Sequence, residues 1–139
     1  MALLLGAGAA SFAFAFQPSD PRDYTGVWRV NWAAGHVRLP LDPDDCCFQT
    51  LEIRYQDNRF SGTLTNDSAD AKDGRFVRAF TRSVPLLDPH LDNGILEFHQ
   101  KVGSRDQIFE VTMDQSGRAL VRSHLVQEVH AWTPFARVR

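Results

Sequence analysis

The sequence predicts an all-β fold, a single antiparallel up-and-down barrel of about eight strands, on three observations. Apolar residues recur with a period of two, and no stretch carries an apolar stripe through three helical turns. The alternating segments are short and are separated by clusters of Gly, Pro, Asn and Asp. The two ends also match: Thr25-Gly26-Val27-Trp28 brings a Trp in on the first strand, and Phe135-Ala136-Arg137-Val138-Arg139 brings arginines in on the last. A barrel needs such partners where its edges meet, and closure removes the exposed edges that an all-β protein must otherwise protect. Eight strands enclose an interior that side chains fill or that holds one small ligand.

Residues 17–23 form a polar Pro/Asp/Arg linker, and the barrel domain spans 24–139. Tyr24–Trp32 reads as the first strand. Ala33–Asp45, with Gly35, Pro40, Pro43 and three Asp, reads as a loop. Cys47–Gln56 sets Leu51, Ile53 and Tyr55 on one face and Thr50, Glu52 and Arg54 on the other, the pattern of a half-buried strand. Asp57-Asn58 is a turn, and Arg59–Asn66 completes a hairpin by alternating Phe60, Gly62 and Leu64 with Ser61, Thr63 and Thr65. Asp67–Gly74 is expected to be an acidic loop, Arg75–Thr81 a strand, and Arg82–Asn93 a loop punctuated by Pro85 and Pro89 that ends in an Asp92-Asn93-Gly94 turn. Ile95–Val102, Gln107–Met113 and Arg118–Val129 are further strands, joined through Gly103-Ser104 and Asp114-Gln115-Ser116-Gly117. Thr133–Arg139 is the last strand, with Pro134 tolerated at its start.

The chain has 139 residues, 43% hydrophobic and 23% charged, the composition of one ordinary globular domain. Its formal net charge is −2 and its pI is about 6.2, so no basic surplus exists to neutralise a nucleic-acid backbone. Met1–Phe16 is uncharged and apolar, the length of a signal-peptide hydrophobic region and shorter than a full span. The segment is expected to direct export to a secreted, periplasmic or organelle-lumen location, or, if retained, to anchor the protein on a membrane. The only cysteines, Cys46 and Cys47, are adjacent, so no long-loop disulfide framework exists. Reduced thiols, a strained vicinal ring, an interchain bridge within a homo-oligomer and redox or metal chemistry all stay open for the pair.

Thr25-Gly26-Val27-Trp28 resembles the Gly-x-Trp element that opens the calycin barrels, the lipocalin, avidin and fatty-acid-binding group. The hairpin Arg59-Phe60-Ser61-Gly62-Thr63-Leu64-Thr65 and the terminal Phe135–Arg139 are similar in spacing to avidin-like chains. The resemblance implies that Arg137 or Arg139 packs over Trp28 and closes the barrel. It departs from the avidins, which box biotin with later tryptophans. Here the tryptophans are Trp28, Trp32 and Trp132, and Leu64 stands where an avidin-like hairpin places a Tyr. The lipocalins' additional motifs and disulfides are absent, and Ala33–Asp45 cannot form the helical lid of a fatty-acid-binding barrel.

Seven phenylalanines lie beyond the apolar start, and Phe60, Phe76, Phe80, Phe98 and Phe109 fall on expected strands. Pointed inward, they make either a solid core or, with Arg78 as a polar group, the wall of a pocket for a small apolar ligand or pigment, which requires about 300 Å³ or more. This noncatalytic binding barrel is the first expectation, with no cofactor and no metal. An accessory subunit docked on a membrane-associated protein complex is the second. The third is an isomerase or cyclase using Glu97, His99 or Glu110, the best acid/base set present, which must then face inward with shifted pKa values. Other signals are weaker. His36, His90, His99, His124 and His130 are scattered, with His124 and His130 about 20 Å apart along one strand. Asp42-Pro43-Asp44-Asp45 lacks the Gly and distal Glu of a calcium loop. Asn66-Asp67-Ser68 is a glycosylation sequon expected in a turn.

Overall fold

In the computed structural model, which describes residues 20–32, 46–102, 104–125, 128–129 and 131–138, the chain enters through a 3-10 turn, Pro21–Tyr24. Asp20 caps it, its carboxylate accepting from the Arg22 N–H at 2.9 Å, and Pro21 pre-sets the first φ. The end of the expected linker is thus ordered, and Tyr24 is fully buried. Strand β1 (Gly26–Asn31) follows, then β2 (Phe48–Gln56), β3 (Arg59–Lys72), β4 (Arg75–Pro85), β5 (Leu87–Asp92), β6 (Ile95–Val102), β7 (Arg105–Met113), β8 (Ala119–Leu125), β9 (Glu128–Val129) and β10 (Thr133–Arg137).

Turn chemistry lays out this succession. Asp57-Asn58, Asp73-Gly74 and Asn93-Gly94 all have positive φ at both positions, the conformation of two-residue turns whose twist matches that of paired strands. The β7–β8 connection is organised by Asp114, whose carboxylate accepts from the Ser116 and Arg118 backbone N–H groups, both at 2.9 Å, while Gly117 supplies a φ of 83°.

All ladders are antiparallel and build one ten-stranded sheet in the order β4-β3-β2-β1-β10-β8-β7-β6-β5, with β9 attached to β8. The first and last strands do meet: Trp28 pairs with Arg137 and Arg29 with Ala136. Strand β10 is shared, Thr133–Phe135 pairing with β8 and the next two residues with β1. Pro134 falls in the half that pairs only with β8, where its missing N–H costs no bond to β1.

Four expectations are corrected. Asp67–Gly74 is not a loop, because β3 runs on to Lys72 and pairs with β4 as far as Lys72↔Arg75, with a bulge at Ser68/Ala69. Arg82–Asn93 is not a loop either: β4 continues to Pro85 and β5 occupies Leu87–Asp92. Arg118–Val129 is two strands, β8 and the short β9. The all-β antiparallel arrangement is as expected, but among the described residues there are ten strands and no ladder closes the strand path. Its end strands, β4 and β5, are consecutive in sequence and meet at Leu86, whose N–H extends the β3–β4 ladder by donating to the Gly62 carbonyl at 3.0 Å and brings β5 into contact with β3.

The sheet curls, since a single buried cluster draws on strands from both halves of that path: Trp28, Leu51 and Leu64 on one side, Leu96, Phe98, Phe109, Val111 and Phe135 on the other. Cross-strand rows tie it together. Trp28↔Leu51↔Leu64↔Val84 crosses β1 to β4, and Leu96↔Val111↔Val121 crosses β6 to β8.

Candidate functional site: the open end of the curled sheet

One end of the interior is plugged. The Trp28 ring is fully buried, its indole N–H donates to the Tyr24 carbonyl at 2.9 Å, and the Arg137 guanidinium lies 4.2 Å from its centroid. Arg137 also donates to the Thr25 carbonyl at 2.6 Å, locking the last strand onto the entry turn. The Tyr24 hydroxyl donates to the Gly94 carbonyl at 2.5 Å in the β5–β6 turn. Burial pushes the Tyr24 pKa up to about 12, against the opposing hydrogen bonds of Thr112 and the Leu96 backbone. Of the two arginines expected at this closure Arg137 takes the role, and Arg139 lies outside the described residues.

Among the described residues the other end is open. One ladder step beyond the Trp28 row, the inward row becomes Val30↔Gln49↔Asn66↔Arg82, and Gln49 donates to Asn66 at 2.8 Å. Across the interior the same change occurs, from the stacked rings of Phe98 and Phe109, with centroids 5.0 Å apart, to the pair Gln100↔Gln107. The result is a cavity of about 610 Å³ with Val30, Phe109, Val121 and Phe135 at its floor. Gln49, Asn66, Gln100 and Gln107 form a polar collar above that floor; at the rim Arg82 shares the inward phase, while Lys101 and Arg122 border the cavity from the outward phase of β6 and β8. None of the described residues lining it is acidic.

The three cations differ in commitment. Arg122 donates to Glu110 at 2.9 Å and stacks 4.3 Å from the Trp132 centroid, and Lys101 pairs with Asp106 at 2.9 Å. Arg82 forms no ion pair among the described residues, so its charge is the one available to the cavity.

The expected pocket wall is divided by the structure. Phe109 lines the cavity, and Phe98 is fully buried behind it. Phe60 lies toward the plugged end, edge-on to Tyr24 at 6.2 Å and tilted on Tyr55 at 4.8 Å. Phe76 and Phe80 are 50% and 60% exposed on β4, where the β3–β4 hairpin outruns the rest of the sheet. Arg78 turns to Asp67, at 3.1 Å, and does not line the cavity. Asp67 also accepts from the Phe48 N–H and the Thr81 hydroxyl, both at 2.8 Å. Burial raises its pKa, and these donors together with Arg78 outweigh the burial and hold it below the usual carboxylate value. The sequon expected in a turn is mid-strand, with the Asn66 amide built into the collar.

Glu97, His99 and Glu110 alternate with the buried Leu96, Phe98 and Phe109, so they occupy the outer face, away from the cavity. There His90 and His99 each approach Glu97 at 3.7 Å, and His124 and Arg122 approach Glu110 at 3.3 and 2.9 Å. His36, His130 and the Asp42–Asp45 acids lie outside the described residues. Cys46 and Cys47 are bonded to each other. Asn31 clamps this pair, donating to the Cys46 carbonyl at 3.0 Å and accepting from the Cys47 N–H at 3.3 Å. The collar residues were not anticipated, yet the signal exists: Gln49, Asn66, Gln100 and Gln107 are in phase with inward Leu51, Leu64, Phe98 and Phe109. The chain matches no protein-family model, no curated protein and no solved structure.

Proposed function

We propose that this protein is a noncatalytic, calycin-like binding barrel that holds one small, mainly apolar molecule in its open end, with the polar tip of that molecule at the rim. The observation that carries the reading is the gradient inside the curled sheet, from the sealed Trp28–Arg137 end through the Phe109–Phe135 floor to an amide collar with Arg82 above it. A cavity of about 610 Å³ lies within the range of ligand sites, generally about 300 to 1,000 Å³. Dispersion and burial hold an apolar body on the floor, and the collar penalises any ligand whose tip cannot satisfy its amides. The Trp28–Arg137 stack over a 3-10 entry turn supports the calycin resemblance. The uncharged Met1–Phe16 run supports an exported or membrane-associated location for the same binding role.

Titration with anilinonaphthalene sulfonate, a fluorescent anion with an apolar body, and with a neutral naphthylamine analogue tests this. Saturable one-site binding of both is expected, abolished by Ser123→Trp, which fills the cavity from β8. Arg82→Glu should weaken the anionic probe by about tenfold while sparing the neutral one. Binding that survives Ser123→Trp unchanged, or that never saturates, overturns the reading.

A further inference from the structure

We infer that the outer edge of β4 is a docking strand for an extended, acidic segment of a partner protein, which adds to the sheet as one more strand. Arg75, Phe76 and Phe80, on which the docking rests beside the backbone edge, do not line the cavity. Strand β4 (Arg75–Pro85) is an end of the strand path, and among the described residues no strand pairs with its far side. Its backbone therefore presents a row of donors and acceptors. It bears Arg75, Arg78 and Arg82 and no acidic residue, in a chain whose net charge is −2. Of the acids in this hairpin, Asp67 and Asp70 lie on β3, one strand removed from that edge, and Asp73 stands in the turn.

Charge alone is a common way to keep an edge from pairing. A protective edge, however, does not also expose large rings. Phe76 and Phe80, half or more exposed, alternate with the arginines, and exposed Trp32 leans on Phe76 at 5.7 Å. Cationic and aromatic side chains flanking an open backbone edge suit a strand that carries carboxylates with apolar residues between them. A second copy of this chain suits it poorly, because antiparallel β4–β4 pairing sets three arginines against three. A lipid surface leaves the backbone edge unpaired.

Fluorescence anisotropy of the full chain tests the assignment, with a labelled peptide of alternating Glu and Val about ten residues long as the probe. Binding is expected, on the order of tenfold weaker for Arg75→Glu and for Phe80→Ser, with folding of both variants checked by circular dichroism. A peptide N-methylated at alternate residues, and one with Lys in place of Glu, should not bind. Equal binding of the N-methylated peptide shows charge adhesion without strand addition and overturns the proposal. So do absence of binding, indifference to both substitutions, a concentration-dependent dimer lost in Phe80→Ser, and uptake by phosphatidylserine vesicles without uptake of peptide.

Discussion

The Asp67 side chain, 8% exposed, takes hydrogen bonds from a backbone N–H on β2 and from a hydroxyl and a guanidinium on β4. Asp67→Ala should cost about 2 to 3 kcal/mol, since charge-assisted bonds are lost and buried donors are orphaned. Its folded pKa lies below the unfolded value of 3.8, so the stabilisation is present above that value and is lost as pH falls through the depressed one. Urea unfolding at neutral pH and at about pH 3 should show the gap between parent and Asp67→Ala narrowing in acid. Tyr24 has the opposite sign. Its raised pKa contributes stability fully present below 10 and lost as pH rises toward about 12. Tyr24→Phe should shift alkaline unfolding to higher pH while costing about 1 to 2 kcal/mol at neutral pH from the lost bond to Gly94. Phenolate absorbance followed with pH reports the residue directly. Arg137→Ala removes a ring stack and a bond to Thr25 together, and a loss of about 1 to 2 kcal/mol by thermal melting is expected. Arg137→Lys keeps the charge and loses the planar fork, so it should recover less than half of that.

At the scale of the element, Gly62 is the tightest point. A Cβ there would stand 1.9 Å from the Glu52 carbonyl oxygen, on backbone that cannot swing away, at the place where Leu86 bridges to β3. Gly62→Ala should destabilise by about 2 kcal/mol or more, and hydrogen exchange should show the loss first in β3 and β5. The elements that could be read from sequence are those whose turns carry their own instruction. Asp57-Asn58 and Asn93-Gly94 mark hairpins outright, and Ile95–Val102 has the extent its alternation implies. Asp73-Gly74 is an equally good signal, but it follows Asn66–Lys72, a polar run of low β-propensity that reads as loop. That run is a strand because β4 pairs with it, a long-range fact invisible locally. Likewise Leu87–Asp92 pairs with β6 despite Pro89, at an end of the path where a missing N–H is harmless.

For the whole molecule, the Trp28–Arg137 contact was legible because its two residues head and end the alternating region. The candidate site was legible only in part. Period-two phase places Phe98 and Phe109 inside, where they are, but the same alternation places Phe76 and Phe80 inside too. Phase gives a face, not a distance along the strand, and the β3–β4 hairpin carries its rings beyond the core they would have joined. The gradient from apolar floor to amide collar is a property of rows across strands, so it appears only once register is known.

The sharing of β10 between β8 and β1 has a consequence for biogenesis. Trp28 leaves the ribosome well before its partner Arg137, with strands β2 to β9 made in between. Until then the nascent β1 keeps one flank bare, and the entropy of bringing such distant segments together is met late. A chaperone that shields β1 in the interval would spare the protein its most dangerous encounter, that of one half-made chain with another.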